Sequence, residues 1–340
     1  DAVSWRILVN DIKHLIEGGE FTQKGTSYRQ WSQLLLDYAQ AHPNEKEYWR
    51  STLENVERLP LAKIESTQST LSLDSTLTSK LLRSSNHGYH TEINDLLLSA
   101  LAIALKTVTG SSTQHVLLEG HGREAISERA DVTQTVGWFT SISPIALSTG
   151  TGIEDTVISV KETVRSIPNK GAVFGTFYHS PDFGDYALPN VSFNYLGQLS
   201  TKREDEYWAI RPENVGQTTG EGNHDKTALA LNCVVTNDEL VIYVDSRLNS
   251  ESTFAFEKAL KDSLINVIEH TDMLGNKGGI KTPSDYAVPS LSISRLRRLQ
   301  NRFADIEAIH LATHLQRGLV FHSLNHPNDD AYRVQLLLDY

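Results

Sequence analysis

One stretch of ten residues, 115–124, decides the predicted fold and site, and its sequence is HVLLEGHGRE. The first half, from His115 to Glu119, is mostly apolar, and a short apolar run of this kind predicts a β-strand. Gly120 and Gly122 follow, and glycine lets a substrate approach the backbone closely. Glu119 ends the strand, where partial desolvation would raise the pKa of its carboxyl group toward the range useful for proton transfer. The stretch therefore predicts a strand that ends in a candidate acid or base.

The glycine-rich part of this stretch also matches a nucleotide-binding pattern. Residues 120–125, GHGREA, fit the GxGxx[GA] fingerprint of dinucleotide-binding domains. That fingerprint must open a full helix whose N-terminus holds a pyrophosphate. Residues 126–136 are polar and only weakly amphipathic, and Gly137 follows them. The sequence therefore disfavours a nucleotide site. We interpret Arg123 and Glu124 of the same segment as a structural ion pair.

No metal site is predicted from the sequence. The chain has no GxxxxGK[ST], HExxH or GxSxG motif. Histidines at i, i+4 spacing occur at His310 and His314 and again at His322 and His326. No cysteine or third ligand accompanies these pairs, so we interpret them as ordinary helix histidines.

The hydrophobic pattern predicts an α/β layered domain with a mixed sheet. Strands are expected over residues 71–74, 115–119, 191–195, 228–235 and 239–244, the last two forming a hairpin around Asn237 and Asp238. Helices are expected over residues 5–18, 28–41, 45–56, 75–84, 91–109, 153–167, 252–270, 293–303 and 314–324. Residues 274–289 are rich in Gly, Lys, Pro, Ser and Asp, which is typical of a linker.

Composition limits the possible partners and location. The 340 residues carry a formal net charge of −11, without a block of Lys or Arg, which argues against nucleic acid. We expect no membrane span and no secretory signal. Cys233 is the only cysteine, which fits a reducing cytoplasm. The chain begins with Asp1 and its only methionine is Met273, so we expect it to be cut from a longer protein, with residues 334–340 beginning a strand.

Residues 119–124, EGHGRE, resemble a motif of the epimerization domains of nonribosomal peptide synthetases. Four further segments resemble motifs of that family in the same order. They are residues 1–8 (the end of HHxxxDG and its continuation), 91–98 (TEINDLLL), 136–140 (VGWFT) and 189–198 (PxxxFNYLGQ). Residues 306–324 resemble the start of a downstream condensation domain, although HLATH at 310–314 departs from the pattern there.

The resemblance implies a fold like that of chloramphenicol acetyltransferase, with two αβ lobes, a mixed β-sheet and helices. It implies that the first lobe is largely missing and that both motif histidines precede Asp1. The expected organisation is the remainder of the N-terminal lobe at 1–62, the C-terminal lobe at 63–273, a linker at 274–292 and the beginning of a condensation domain at 293–340.

The resemblance also implies a site. Glu119 is the expected proton-transfer residue, and the missing histidine would act opposite it. Asp1 is expected to orient its loop by pairing with an arginine, and Arg123 is assigned a structural role. The expected substrate-binding residues are Asn194, Tyr195, Gly120 and Trp138. A structural role for Tyr195 stays open. The resemblance also implies an active site on a tunnel between the two lobes, and Trp138 is expected to pack against the wall of that tunnel.

The implied activity is L-to-D epimerization of an aminoacyl or peptidyl thioester. The substrate would be carried on the 4′-phosphopantetheine of an upstream carrier domain, with no cofactor bound directly. The enzyme would be an isomerase domain followed by a condensation domain, and the chain alone is expected to be inactive. The alternatives are a condensation domain that forms peptide bonds and a non-catalytic domain that docks carrier proteins.

Overall fold

A six-stranded mixed β-sheet organises the first part of the chain. In the computed structural model, the described residues are 1–20, 24–63, 65–199, 226–289, 291–303 and 306–329. They divide into two compact units, Asp1–Ile280 and Lys281–Tyr340. The strand predicted at 334–340 lies outside the described residues.

The strands of the first unit are β1 (Thr67–Leu73), β2 (Thr113–Gly120), β3 (Ser141–Ser148), β4 (Val191–Leu199), β5 (Leu229–Thr236) and β6 (Glu239–Ser246). Its helices are α1 (Ala2–Ile16), α2 (Tyr28–Ala41), α3 (Glu45–Leu53), α4 (Ser75–Leu82), α5 (Ile93–Thr109), α6 (Ile153–Ser166), α7 (Phe174–Tyr178) and α8 (Ser250–Gly275).

The strand order is β1-β6-β5-β4-β2-β3. β4 runs parallel to both of its neighbours, β2 and β5, and the other pairs are antiparallel. The predicted mixed sheet is thus confirmed. The predicted hairpin is confirmed as well, because Asn237 and Asp238 join β5 to β6 with φ angles of 50° and 64°. Asn and Asp tolerate this left-handed region, which a two-residue hairpin turn requires.

The sequence did not predict strand β3. Pro144 lies inside it, and proline cannot donate a hydrogen bond to a neighbouring strand. The structure resolves this conflict because β3 is one of the two edge strands of the described sheet, where β2 is its one neighbour. A proline is tolerated at an edge.

Helices cover one face of the sheet. Phe193, Leu231 and Ile242 point to this face and are almost fully buried. The hydroxyls of Ser246 in β6 and Thr253 in α8 lie 2.8 Å apart, which ties α8 to the same face. Helix α5 is buried along most of its length, as its nearly continuous apolar sequence predicts. The polar residues described below lie on the opposite face.

The second unit contains α9 (Ile293–Arg302) and α10 (His314–Asn325). Tyr286, Leu291 and Leu296 form a small core there. Among the described residues of both units, no helix is long and apolar enough to cross a membrane.

Candidate functional site

Glu119, at the carboxyl end of β2, meets Asn194, which lies in the first half of the adjacent parallel strand β4. Leu118 in β2 pairs with Phe193 in β4, so the next residue of each strand lies side by side on the opposite face. The Asn194 Nδ2 donates a hydrogen bond of 2.9 Å to the Glu119 Oε2. The sequence predicted that these two side chains lie within reach of each other, and this contact is confirmed.

The environment of Glu119 suits proton transfer. Its side chain is partly buried, and desolvation raises the pKa of its carboxyl group above the usual value. Within the described part of the chain, the Glu119 Oε1 has no hydrogen-bond partner. Asn194 therefore fixes one carboxyl oxygen and leaves the other for a ligand. A carboxyl group with a raised pKa changes its protonation state more readily near neutral pH.

The turn after Glu119 depends on Gly122. Its φ angle is +66°, and a Cβ atom built there would lie 1.7 Å from the Phe139 carbonyl oxygen. Only glycine fits this position without moving the backbone. Gly120 is less constrained, because a Cβ atom there would lie 3.1 Å from the Ser141 Oγ. The close packing at Gly122 holds the turn against the segment that leads into β3.

A buried ion pair joins this turn to the start of the chain. The Arg123 Nη2 lies 3.3 Å from the Asp1 Oδ2, and the two side chains are only 7% and 6% exposed. The Arg123 Nη1 donates to the carbonyl oxygens of Val132 and Thr135, at 2.6 and 2.8 Å. Its guanidinium carbon lies 4.0 Å from the centre of the Phe139 ring. Desolvation lowers the pKa of Arg123, which stays protonated because the unperturbed value is so high.

Asp1 and Ser4 complete this network. The Asp1 carboxylate accepts hydrogen bonds from the backbone N–H groups of Ser4 and Phe139, at 2.6 and 3.1 Å. The Ser4 hydroxyl bonds to both the N–H and the C=O of Gly137. Asp1 therefore pairs with an arginine, as expected, and that arginine is Arg123. The sequence did not single out Ser4 or Phe139, since their partners lie more than a hundred residues away.

The predicted ion pair between Arg123 and Glu124 is wrong. The Glu124 Oε1 lies 3.1 Å from the His121 Nε2, and its Oε2 lies 3.5 Å from the Lys170 Nζ. The His121 Nδ1 accepts a hydrogen bond from the Arg123 backbone N–H. Adjacent residues in this extended turn point in different directions, so Arg123 turns to Asp1 while Glu124 turns to Lys170.

Tyr195 and Trp138 are not brought to Glu119 in the same way. The alternation of β4 directs Tyr195 to the helix-covered face, together with Phe193 and the buried Cys233. The Tyr195 hydroxyl is buried without a hydrogen-bond partner in the described part of the chain. The Trp138 side chain is 75% exposed, so the expected packing is not seen among the described residues. The substrate-binding roles of both residues stay predictions.

No metal centre accompanies these residues. The described part of the chain contains no cluster of three or more His, Cys, Asp or Glu side chains that could hold a metal ion.

Comparison with known proteins places this site in a family. The family model described as "Condensation domain" matches residues 1–285. Bacitracin synthase 3 of Bacillus licheniformis is 32% identical over an alignment of 364 residues, gaps included, which covers 100% of this chain and 6% of that synthase. The N-(5-amino-5-carboxypentanoyl)-L-cysteinyl-D-valine synthase of Amycolatopsis lactamdurans is 36% identical over 280 residues, covering 80% of this chain and 8% of that protein. The chain thus spans less than a tenth of the length of either relative.

A solved structure is similar over most of the chain. The epimerization domain from the third module of tyrocidine synthetase B superposes with a TM-score of 0.71 and 29% identity, over 81% of this chain and 67% of that one. The match of the family model to residues 1–285 includes Asp1, Glu119, Arg123 and Asn194. The chain belongs to the condensation-domain family of nonribosomal peptide synthetases.

Proposed function

We propose that this chain takes part in the L-to-D epimerization of an aminoacyl or peptidyl thioester. The observation that carries the proposal is the hydrogen bond from Asn194 in β4 to Glu119, which presents a partly desolvated carboxyl group at the carboxyl end of β2. Two similarities support it. One solved structural neighbour is an epimerization domain, and one relative is named for a product that contains D-valine.

The reaction needs a group that exchanges a proton with the α-carbon. The thioester carbonyl makes the α-proton removable, because the electron pair of the broken C–H bond moves onto the carbonyl oxygen as an enolate. In the proposal, Glu119 takes this proton or returns one to the opposite face of the carbon. Asn194 holds the Oε2 in place, so that Oε1 is the oxygen that transfers the proton. Return of a proton from the other face gives the D-isomer, and no atom is gained or lost.

The second proton-transfer group in this proposal is the histidine of the HHxxxDG motif. That motif places the histidine before the aspartate that corresponds to Asp1. The Asp1 carboxylate binds the N–H of Phe139, which lies two residues before β3, the strand paired with β2. In HHxxxDG the second histidine lies four positions before this aspartate, so in the proposal the Asp1 contact holds the segment that carries the histidine near the end of β2 that bears Glu119.

The proposal includes the partners that this chemistry requires. An upstream carrier domain delivers the substrate on its phosphopantetheine arm, a condensation domain follows, and the synthetase acts in the cytoplasm.

The second candidate function is that this chain is itself a condensation domain, because the family model that matches the chain carries that description. Peptide-bond formation consists of attack by an amine on the thioester carbonyl and leaves the α-proton in place. Exchange of the α-proton with solvent therefore distinguishes the two reactions, and a docking domain would catalyse neither.

The experiment compares wild type with Glu119→Gln in the synthetase module that contains this chain. A carrier domain is loaded with an L-aminoacyl group, and loss of the α-proton into deuterated water is followed by mass spectrometry. We expect the amide to slow exchange by about 10²–10⁴-fold, the usual contribution of a general acid or base. Glu269→Gln is the matched control, because Glu269 is exposed on α8, which covers the other face of the sheet. Exchange at the wild-type rate in Glu119→Gln contradicts the proposal.

A further inference from the structure

The residue pairing of the sheet aligns Glu119 with one residue from each of the other five strands. We call this line across the sheet the transverse row. From one edge to the other, its residues are Thr70, Tyr243, Asn232, Asn194, Glu119 and Ile142. All six are at least partly accessible, whereas Phe193, Leu231 and Ile242 on the opposite face are almost fully buried. The transverse row therefore lies on the face away from α5 and α8.

Two asparagines at the centre of this sheet are unexpected. Asparagine is depleted in strands, yet Asn194 and Asn232 lie opposite each other on the parallel strands β4 and β5. Within the described part of the chain, neither the Asn232 carboxamide nor the Tyr243 hydroxyl has a hydrogen-bond partner. The Tyr243 side chain is 47% exposed. The row thus offers unused donors and acceptors that extend away from Glu119 in one direction.

The other direction is apolar. Ile142 in β3 pairs with Glu119 and is 48% exposed. In a thioester substrate with its α-carbon at Glu119, that carbon carries the amino-acid side chain, the α-amino group or peptide, and the carbonyl group that leads to the pantetheine chain. The pantetheine chain contains two amides, which need hydrogen-bond partners, and the polar side of the row offers unused donors and acceptors. The polar side of the row therefore suits the pantetheine arm, and Ile142 is left for the amino acid.

The spacing of the row fits the arm. Neighbouring strands lie about 4.8 Å apart, so Asn194, Asn232 and Tyr243 lie about 5, 10 and 14 Å from Glu119. The two amide nitrogens of pantetheine are separated by four bonds, which is about 5 Å when extended. The first of them is five bonds from the substrate α-carbon, or about 7 Å. The first amide then falls between Asn194 and Asn232, and the second falls between Asn232 and Tyr243.

We infer that Asn232 and Tyr243 bind the amides of the pantetheine arm and thereby position the thioester over Glu119. This inference deepens the proposed function and rests on it for the identity of the substrate. Asn232 is the central residue, because it lies within reach of both amides. Neither residue touches the reacting carbon, so both are positioning residues.

The test uses the synthetase module that contains this chain and compares two substrates that differ only in the arm. One is an L-aminoacyl pantetheine thioester, and the other is the L-aminoacyl N-acetylcysteamine thioester, which keeps the first amide and lacks the second. We expect Asn232→Leu to raise the KM for the pantetheine thioester about fivefold, the effect of one lost hydrogen bond, with little change in the kcat of α-proton exchange. The KM for the short thioester rises less. Tyr243→Phe raises the KM for the long substrate only.

A binding measurement separates this inference from the proposed function. An unreactive thioether analogue of the pantetheine substrate, with CH₂ in place of the carbonyl, is titrated into each variant by calorimetry. Asn266→Leu, at an exposed position on α8, is the matched control, and thermal melting verifies that each variant is folded. If wild type exchanges no α-proton but Asn232→Leu weakens binding of the thioether about fivefold, the proposed function fails and the arm site stands. If Asn232→Leu leaves thioether binding unchanged, or raises the KM of both thioesters equally, the arm site is wrong.

Discussion

Replacement of Arg123 by methionine tests how much the buried network at the start of the chain stabilises the fold around the candidate site. Methionine keeps much of the length of the side chain but loses the charge and all donors. The change leaves the Asp1 carboxylate, only 6% exposed, without its cation. It also removes the hydrogen bonds to the carbonyl oxygens of Val132 and Thr135. Breaking a buried pair by removing one partner costs about 3–5 kcal/mol, because the remaining charge stays desolvated.

The assay is urea denaturation of the chain together with thermal melting. For a unit of this size, a loss of about 3–5 kcal/mol lowers the melting temperature by roughly 10 °C. Arg123→Lys keeps the charge but cannot reach Asp1 and both carbonyls at once, so we expect an intermediate loss. In the double variant Asp1→Asn/Arg123→Met no unpaired charge remains, and its loss should be smaller than the sum of the single losses by about 1 kcal/mol or more. Additive losses, or a loss below about 1 kcal/mol in Arg123→Met, would refute the reasoning.

Three further predictions concern single groups near the site. Gly122→Ala should destabilise the chain by roughly 2 kcal/mol or more, because φ is +66° and the new Cβ meets the Phe139 carbonyl oxygen; Gly175→Ala, where the Cβ meets nothing, is the control in the same urea titration. Glu119→Gln should become more stable relative to wild type as pH rises from about 4, since the pKa of Glu119 is higher in the folded chain than in the unfolded chain and ionisation therefore weakens folding. Denaturation midpoints that differ by the same amount at pH 4 and pH 7 would contradict this. Tyr195→Phe should leave stability unchanged or raise it by about 1 kcal/mol, because the buried hydroxyl has no partner in the described part of the chain; a stable variant with slowed α-proton exchange would show that the hydroxyl serves the substrate.

Local patterns predicted most elements of the sheet, and their failures have physical causes. The alternation of β5 and β6 and the Asn237–Asp238 turn are contained within one short segment, so the hairpin could be predicted. Strand β3 could not, because Pro144 is compatible only with an edge strand and edge position is a property of the whole sheet. The order of the strands is likewise non-local, since β2 and β4 pair across more than seventy residues of chain.

The contacts of the candidate site likewise include some that local sequence predicts and some that depend on distant residues. Glu119 and Asn194 could be predicted as partners because both belong to recognisable motifs on strands. The expectation that both end their strands holds only for Glu119, because β4 continues past Asn194 to Leu199. The ion-pair partner of Arg123 could not be predicted from distances along the sequence. Glu124 is its neighbour in sequence, but Asp1, 122 residues earlier, is its neighbour in space. The Asp1 carboxylate at the N-cap of α1 is buried, and a buried carboxylate is stable only when it is paired with a cation. The fold brings Arg123 of the turn to it.

Asn232 illustrates what a motif cannot contain. Within its own segment it is a polar residue inside a mostly apolar strand, and such a residue indicates only a weak β propensity. Its role can be inferred only from two strand pairings together, because β4 on one side and β6 on the other place it between Asn194 and Tyr243, on the face that carries Glu119. The proton-transfer residue can be marked by a local motif, since its chemistry depends on one strand end and one turn. The residues that position a long, flexible arm must be spread along the arm, one to a strand, and only the register of the sheet brings them into line.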